Sequence, residues 1–163
     1  MTDRFVRDRV EILDVVTRYF TSIDHRDFER LRTVFTEDAS GDFDGKAVGP
    51  GIEALLDFFA GRGRVDFPVD VAEIQVSHHL IANHEVRIDG DRAVAETFAT
   101  AHLVDRPAEG SRLRTRGLRY QDELVRTDAG WRIDRRVHVC DWMRLDQLLW
   151  AADALTPLPP ELR

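Results

Sequence analysis

The stretch VSHHLIANH, residues 76–84, marks the point where the apolar pattern of this chain changes from a helical to a strand-like period. Three of the chain's six histidines lie within it, among mostly apolar neighbours. The pattern therefore predicts a buried strand that carries imidazoles. Because imidazole is well suited to move protons near neutral pH, this strand is a candidate reaction site. The alternative is a strand with half-exposed histidines that have no catalytic role.

Three helices are predicted ahead of this stretch. A first amphipathic helix from Asp3 to His25 is indicated by an apolar stripe at steps of three and four: Val6, Val10, Leu13, Val16, Phe20 and Ile23. Asp27 is a candidate N-cap for a short second helix over residues 28–35. Gly49-Pro50-Gly51 precedes a third helix whose apolar side runs from Ile52 to Phe59.

Strand-like segments follow over residues 71–82, 84–88, 93–104, 113–127 and 131–141, joined by short turns. A last amphipathic stretch, over residues 145–155, predicts a C-terminal helix before a proline-rich tail. Helices first and then consecutive strands predict one α+β domain, residues 1–163, with a core over about 5–142 and the C-terminal helix and tail over 143–163. Its antiparallel sheet is expected to curve strongly around a pocket beneath three N-terminal helices.

Composition narrows the function. The net charge of −7 argues against a nucleic-acid partner, because phosphate binding needs a basic surface. A single cysteine excludes a disulfide framework, so a cytoplasmic location is expected. We predict no membrane segment and no signal sequence. Without a glycine-rich phosphate loop, a dinucleotide fingerprint or a compact metal-ligand spacing, we predict no cofactor and no metal.

Several short motifs occur in a recognisable order: YFTSID at 19–24, FTEDA at 35–39, HLIAN at 79–83, DGDRA at 89–93 and GWRI at 130–133. Over residues 5–142 this order resembles the SnoaL-like branch of the nuclear transport factor 2-like superfamily. The resemblance implies a cone-shaped α+β barrel. That fold hosts isomerases, dehydratases, epoxide hydrolases, cyclases and non-catalytic binding proteins, so the fold alone does not define a function.

The resemblance also implies roles for individual residues. Members similar to scytalone dehydratase or to dehydrochlorinases pair an acidic residue at the end of the first helix with a strand histidine, and the matching positions are Asp24 and His79. An arginine of dehydrochlorinase-like members matches Arg136. A tyrosine and a second histidine of dehydratase-like members match Tyr19 and His102. Bile-acid dehydratase-like members have an acidic residue near the position of His102, which leaves the acid of the reaction open.

An Asp24–His79 pair is also chemically reasonable. Tyr19 and Asp24 are five residues apart, about 500° around a helix, so Asp24 must turn towards the pocket at the helix end. The helix dipole disfavours a carboxylate there, and an imidazole partner would compensate. Such a pair fixes the histidine tautomer and stabilises the imidazolium that forms. The alternative is that Asp24 only shapes the turn before Asp27.

Strand parity separates the neighbouring histidines, because alternate residues share a face. Ser77, His79, Ile81 and Asn83 share one face, and His78 lies on the other. Parity alone does not choose between the two faces, and the resemblance selects the face of His79.

On the later strands, parity groups His102 with Phe98 and Thr100 as a pocket wall, and Arg136 with Arg132, Asp134, His138 and Cys140. A solvated ion pair is the alternative role of Arg136. Alternating Arg112, Arg114 and Arg116 are interpreted as a solvated basic face of an edge strand.

The favoured function is a cofactor-independent, dehydratase-like lyase or an isomerase that acts on a small, hydrophobic, cyclic substrate. In this hypothesis His79, oriented by Asp24, removes a proton from carbon, and Tyr19, His102 or Arg136 assists the leaving group. Six further residues are predicted to contact the substrate: Phe20, Phe58, Asn83, Phe98, Tyr120 and Trp142.

Two alternatives remain open. A non-enzymatic binding or assembly domain is favoured if Phe20, Phe58, Phe98 and Trp142 fill the pocket. An epoxide-hydrolase-like enzyme would need an Asp-Arg-Asp set, of which the sequence offers only Asp134 and Arg136. In each case the exposed sheet edge and the apolar C-terminal stretch predict a homo-oligomer. The family resemblance implies a homodimer or a homotrimer.

Overall fold

The computed structural model describes residues 3–62, 73–107 and 110–162 of the chain. The three predicted N-terminal helices are confirmed: α1 spans Asp3–His25, α2 spans Phe28–Arg32 and α3 spans Ile52–Phe59. The Asp27 side chain caps α2 by accepting a hydrogen bond of 2.9 Å from the backbone N–H of Arg30. Residues 71 and 72, the first two of the strand predicted over residues 71–82, lie outside the described residues.

Six strands form one sheet: β1 Phe35–Phe43, β2 Lys46–Val48, β3 Ile74–Asp89, β4 Arg92–Asp105, β5 Arg112–Thr127 and β6 Gly130–Gln147. Their spatial order is β2-β1-β6-β5-β4-β3. The sheet curls over the helices without closing, so β2 and β3 are its edges. The predicted α+β class and curved sheet are confirmed, as an open cone rather than a closed barrel.

The prediction of a purely antiparallel sheet is wrong at β1, which pairs with β6 in parallel. Residues 28–35 were expected to be helical throughout, but α2 ends at Arg32 and Phe35 begins β1. The local apolar pattern of Val34 and Phe35 suits either a helix or a strand. Long-range pairing decides in favour of the strand, since the backbone N–H of Ile133 donates to the carbonyl of Val34.

The predicted C-terminal helix is also wrong. Strand β6 continues to Gln147, which pairs with Arg112 of β5. The chain after it stays irregular as far as a short 3₁₀ turn at Pro160–Leu162. Pairing with β5 satisfies the backbone of residues 143–147, so the apolar residues there are used in a strand despite their helical spacing.

Helix α1 packs on the concave face of the sheet, and only the C-terminal half of the predicted stripe, Val16, Phe20 and Ile23, faces the core. Its buried residues are Asp8, Ile12, Val15, Val16, Tyr19, Phe20 and Ser22. Val6, Val10 and Leu13 of the predicted stripe are 42%, 55% and 40% exposed. At 100° per residue these three residues are centred about 140° around the helix from Tyr19. The helix therefore carries two apolar rows, and the sheet covers the one with the aromatic residues.

Irregularities in the strand pairing change which residues face the helices. One extra residue in β3 between Ile81 and His84 reverses the parity of that strand. A second bulge, at Asp134 in β6, brings Arg136 and His138 onto the concave face together with Ile133. Arg132 and Asp134 therefore do not share the face of Arg136, contrary to prediction.

Candidate active site

A partly open cavity of about 110 Å³ lies between the helices and the concave face of the sheet. Its wall is mostly aromatic and aliphatic, with polar groups from α1, β3, β5 and β6; the lining residues are Tyr19, Ile23, Arg26, Phe28, Phe43, Phe58, Phe59, Ile74, Ser77, His79, Leu103, Arg116, Tyr120 and His138. A cavity of roughly 150 Å³ accepts benzene. This one is therefore on the scale of a single ring, with room for substituents at its mouth.

Asp24, in the last turn of α1, lies directly behind two residues of the cavity wall, Ser77 and His79. The helix ends in a Schellman motif, in which the N–H of Asp27 donates to the carbonyl of Ser22 and the N–H of Arg26 to that of Ile23. Arg26 adopts the left-handed conformation that this motif requires, with φ 55°. The turn directs the chain away at residue 26 and leaves the carboxylate of Asp24 facing β3.

Three donors from β3 hold the Asp24 carboxylate. Its Oδ1 accepts from Ser77 Oγ at 2.6 Å and contacts His79 Nδ1 at 2.7 Å, and its Oδ2 accepts from the His79 backbone N–H at 2.9 Å. The side chains of His79 and Asp24 are only 8% and 13% exposed. These bonds compensate for placing a carboxylate at the negative end of the helix dipole.

The geometry defines the tautomer of His79. An ionised carboxylate only accepts hydrogen bonds, so the Nδ1 atom beside it carries the proton and Nε2 is left with a lone pair. The ring stacks on Phe20, with centroids 5.2 Å apart and planes at 22°. This arrangement holds an imidazole in one orientation and one tautomer, which are the properties of a general base.

The two neighbouring histidines point to opposite faces, as parity required. His79 is on the concave side, whereas His78 is exposed on the convex side. His102 pairs with His78 across the strands and shares that convex face, where its Nδ1 lies 3.4 Å from Thr115 Oγ1. The predicted placement of His102 on the pocket wall is therefore wrong. The position opposite His79 on the concave side is Ala101.

The predicted substrate-contacting residues divide into three groups. Phe58 and Tyr120 line the cavity, and Phe20 lies behind the ring of His79. Phe98 and Trp142 are 39% and 53% exposed, away from the cavity. Asn83 is exposed at the β3 bulge. The expected wall positions of Asn83, Phe98 and Trp142 are wrong because strand register, which the sequence does not display, sets the face.

Arg136 is completely buried and is held by Asp122 through two hydrogen bonds of 2.7 Å. Although burial opposes its charge, Asp122 outweighs burial and raises the pKa of Arg136 above its usual value. The guanidinium also lies 3.9 Å from the ring centroid of Tyr19 and 4.8 Å from that of Tyr120. Arg136 thus supports two rings of the cavity wall from behind. The solvated ion pair weighed as its alternative is excluded by this burial.

Tyr19 lines the cavity while its ring packs against Phe20, Phe35, Phe59 and Tyr120. Burial raises the pKa of Tyr120 well above its ordinary value, so its phenol stays protonated at neutral pH. Tyr19 and Tyr120 both line the cavity, as the sequence analysis predicted.

The sequence reasoning missed a second histidine of the cavity, His138, which is 5% exposed. Its Nδ1 lies 3.5 Å from Oδ1 of Asp44, close enough for a charge interaction but without the geometry of a hydrogen bond. Arg116 and the Cys140 N–H also contact this carboxylate, at 3.3 Å and 2.6 Å. The sequence analysis placed His138 on the same strand face as Arg136, and this shared face could have identified His138 as a site residue. The approach of Asp44 depends on the parallel β1–β6 pair, which was not predicted.

The basic residues of β5 face the opposite way from the one predicted. Strand β5 is internal in the sheet, and Arg112, Arg114 and Arg116 pair with the concave positions of β4. Arg112 and Arg114 contact the buried carboxylate of Asp105, and Arg116 reaches the cavity. The interpretation as a solvated edge is wrong, because β3 and not β5 forms that edge.

Within the described residues, no group of three or more His, Cys, Asp or Glu side chains is arranged to hold a metal ion. The helices described here also include none with the length and apolarity needed to cross a membrane.

The chain matches known proteins over most of its length. It is 35% identical over 138 residues to the uncharacterized protein Rv2910c of Mycobacterium tuberculosis, covering 81% of this chain and 84% of that one. Among solved structures, Rv3472, a protein of unknown function from Mycobacterium tuberculosis, superposes with a TM-score of 0.67 at 26% identity, covering 90% of this chain and 76% of the other.

A third similarity concerns the fold alone. The hexachlorocyclohexane dehydrochlorinase LinA-type3 of Novosphingobium barchaimii superposes with a TM-score of 0.71 at 18% identity, covering 94% of this chain and 97% of the other. The sequence profile of the SnoaL-like domain matches residues 4–137. The chain therefore belongs to the SnoaL-like family, within the nuclear transport factor 2-like fold.

Proposed function

We propose that this protein is a cofactor-independent lyase or isomerase that removes a proton from a carbon atom of a small ring-containing substrate. His79 is the general base and Asp24 orients it. The observation that carries the proposal is the 2.7 Å contact between Asp24 Oδ1 and His79 Nδ1 at the wall of an open cavity.

The wall around the dyad supports this chemistry. A general base is most effective when water is excluded and the substrate is held against it, and an aromatic wall does both. Phe58, Phe59 and Tyr120 supply flat apolar surface to the cavity. The cavity volume limits the reacting part of the substrate to about one ring.

The alternative of a non-catalytic binding domain required a pocket filled by aromatic side chains. Two of the four residues named for that role, Phe98 and Trp142, are exposed away from the cavity. The epoxide-hydrolase-like alternative required Asp134 beside Arg136, but Asp134 accepts a hydrogen bond from Thr36 instead. The geometry thus favours the base-catalysed reaction over both.

A direct test is the ring opening of 5-nitro-1,2-benzisoxazole. In this reaction a base takes the proton on C3, the N–O bond breaks, a nitrile forms and the oxygen leaves as a coloured phenolate. The reacting five-membered ring is small enough for the cavity, and the benzo ring can extend through the mouth. We expect the protein to accelerate this reaction, and His79→Ala to lower kcat/KM by about 10²–10⁴-fold.

The matched control is His78→Ala, which removes the neighbouring imidazole from the convex face and should leave the rate within about threefold, the scatter typical of a distant surface substitution. No acceleration by the intact protein, or equal losses in the two variants, would contradict the proposal and leave a binding domain as the better explanation.

A further inference from the structure

A second histidine of the cavity wall, His138, has a carboxylate neighbour, as His79 has Asp24. His138 on β6 faces Asp44, which lies in the turn between β1 and β2. Asp44 has φ 57° and its carboxylate accepts hydrogen bonds from the Cys140 N–H and from Arg116. The carboxylate is therefore held in place by donors from two strands, β5 and β6, and does not depend on His138 alone.

The two pairs reach the cavity from opposite sides. β3, which carries His79, and β6, which carries His138, are separated by two strands in the sheet. Between the imidazoles lie two rings in sequence: Phe20 stacks on His79, Tyr120 packs 5.1 Å from Phe20, and His138 packs 5.1 Å from Tyr120. Because the cavity is about the size of one ring, a molecule that fills it touches both walls.

We infer that His138, backed by Asp44 and Arg116, is a second catalytic residue, which protonates an oxygen leaving group while His79 removes the carbon-bound proton. This inference rests on the proposed function and makes it more specific. The substrate would be a ring compound with an acidic C–H on one side and a hydroxyl or other oxygen leaving group on the other.

The charges around His138 suit this role. It is surrounded by the carboxylate of Asp44, the guanidinium groups of Arg116 and Arg136, and the neutral phenol of Tyr120. Burial and the two arginines lower its pKa below the ordinary value, against the opposing effect of Asp44. The imidazolium is thus a stronger acid than a solvent-exposed one, and Asp44 neutralises its charge before the proton is given up.

The chemical step is balanced without a co-reactant. The C–H electron pair becomes a new π bond as the proton passes to Nε2 of His79, and the C–O bond breaks as the oxygen takes a proton from His138. Water or an alcohol is released. His79 is left protonated and His138 neutral, and exchange with solvent restores both.

Two benzisoxazole probes separate the roles of the two histidines. The oxygen of unsubstituted 1,2-benzisoxazole leaves as a more basic phenolate than that of the 5-nitro compound, so it depends more on an acid. We expect His138→Gln to lower kcat/KM at least tenfold more for the unsubstituted probe than for the nitro probe. His79→Ala should lower the two rates by similar factors, because both reactions need the same proton removed.

Asp44→Asn keeps the His138 imidazole, and Asn tolerates the left-handed backbone at residue 44. It should show the same probe-dependent loss in weaker form. The matched control is His84→Gln, which removes another concave-face histidine, one bonded to Thr97 and not lining the cavity; it should leave the ratio of the two rates unchanged.

The loss caused by His138→Gln should also diminish as the pH rises from 5 to 6.5, because the lowered pKa of His138 makes the intact histidine lose its proton below its ordinary value near 6.5. A purely structural role would lower both probes equally at every pH. If His79-dependent turnover persists while the probe ratio is unchanged in both His138→Gln and Asp44→Asn, the second catalytic residue is disproved and the proposed function stands. If His79→Ala has no effect, the proposed function itself fails.

Discussion

Two carboxylates of this protein each hold a nitrogen-containing side chain by short hydrogen bonds: Asp24 holds His79, and Asp122 holds Arg136. The surroundings of the two pairs differ. Asp24 and His79 retain 13% and 8% exposure at the cavity wall. Asp122 and Arg136 retain none. The ring of Tyr19 lies against the guanidinium on one side and lines the cavity on the other. Together with the ring of Tyr120, it separates the buried Asp122–Arg136 pair from the cavity that His79 reaches.

This difference has a physical consequence. Arg136 is always charged, so a sealed Asp122–Arg136 pair cannot exchange protons and contributes geometry only. Histidine changes charge near neutral pH, so the same kind of bond at an open cavity prepares a base for turnover. The two pairs have hydrogen bonds of similar length. They differ in whether the cavity reaches them and in whether the carboxylate's partner is a histidine or an arginine.

The largest expected effect is on stability. Arg136→Met leaves the Asp122 carboxylate buried without its partner, which should lower the free energy of unfolding by about 3–5 kcal/mol. Urea denaturation would measure it. The double variant Arg136→Met, Asp122→Leu removes the stranded charge and should recover much of the loss. A loss below about 1 kcal/mol, the value of an exposed pair, would mean that water reaches Asp122 and that the two pairs are alike.

The second effect is on catalysis. Asp24→Asn exchanges a carboxylate for an amide that can present N–H to His79 Nδ1 and so favours the wrong tautomer. We expect kcat/KM for 5-nitro-1,2-benzisoxazole to fall about 10²-fold, roughly 2.7 kcal/mol, with a smaller change in the free energy of unfolding than in Arg136→Met. Asp27→Asn, three residues away at the α2 N-cap, is the control and should leave the rate unchanged, since both residues cap helices well. Equal rates in the two variants would remove the distinction between the pairs.

The smallest effect is the pH dependence of stability. Burial is the main reason that the pKa of His138 and that of His84 are lowered in the folded protein. The unfolded chain takes up these protons near pH 6.5, before the folded protein does, so the unfolded state binds more protons below that pH. The free energy of unfolding should therefore be highest above about pH 6.5 and should decrease as the pH falls towards 5.

His138→Gln should make this decrease shallower, by at most about 1.4 kcal/mol for each unit of pKa displacement removed. Asp44, whose pKa is lowered although burial opposes it, loses its own contribution only at more acidic pH, because a carboxyl of the unfolded chain titrates near 4. Thermal unfolding between pH 5 and pH 8 would measure the slope. An identical slope in wild type and variant would show that His138 is equally protonated in both states.

Much of the fold was predictable because its signals are local. The periodicity of α1, the N-cap at Asp27 and the turn-bounded strands all depend on neighbouring residues. Asp24 was predictable as a residue that must turn inward at the helix end. Parity showed correctly that His78 and His79 cannot both enter the pocket. The same parity failed for His102 and Asn83, because one register choice or one bulge transfers a side chain to the other face.

By itself, the sequence determined the α+β class, the order of helices and strands, and the residues from which a proton-transfer site could be built. Local propensity and period carry that information. Three other features come from tertiary contacts: the side of α1 that is covered, the continuation of a strand through residues 143–147, and the approach of Asp44 to His138. These outcomes depend on pairing between segments that are distant in the chain, where backbone hydrogen bonds and burial outweigh local preference.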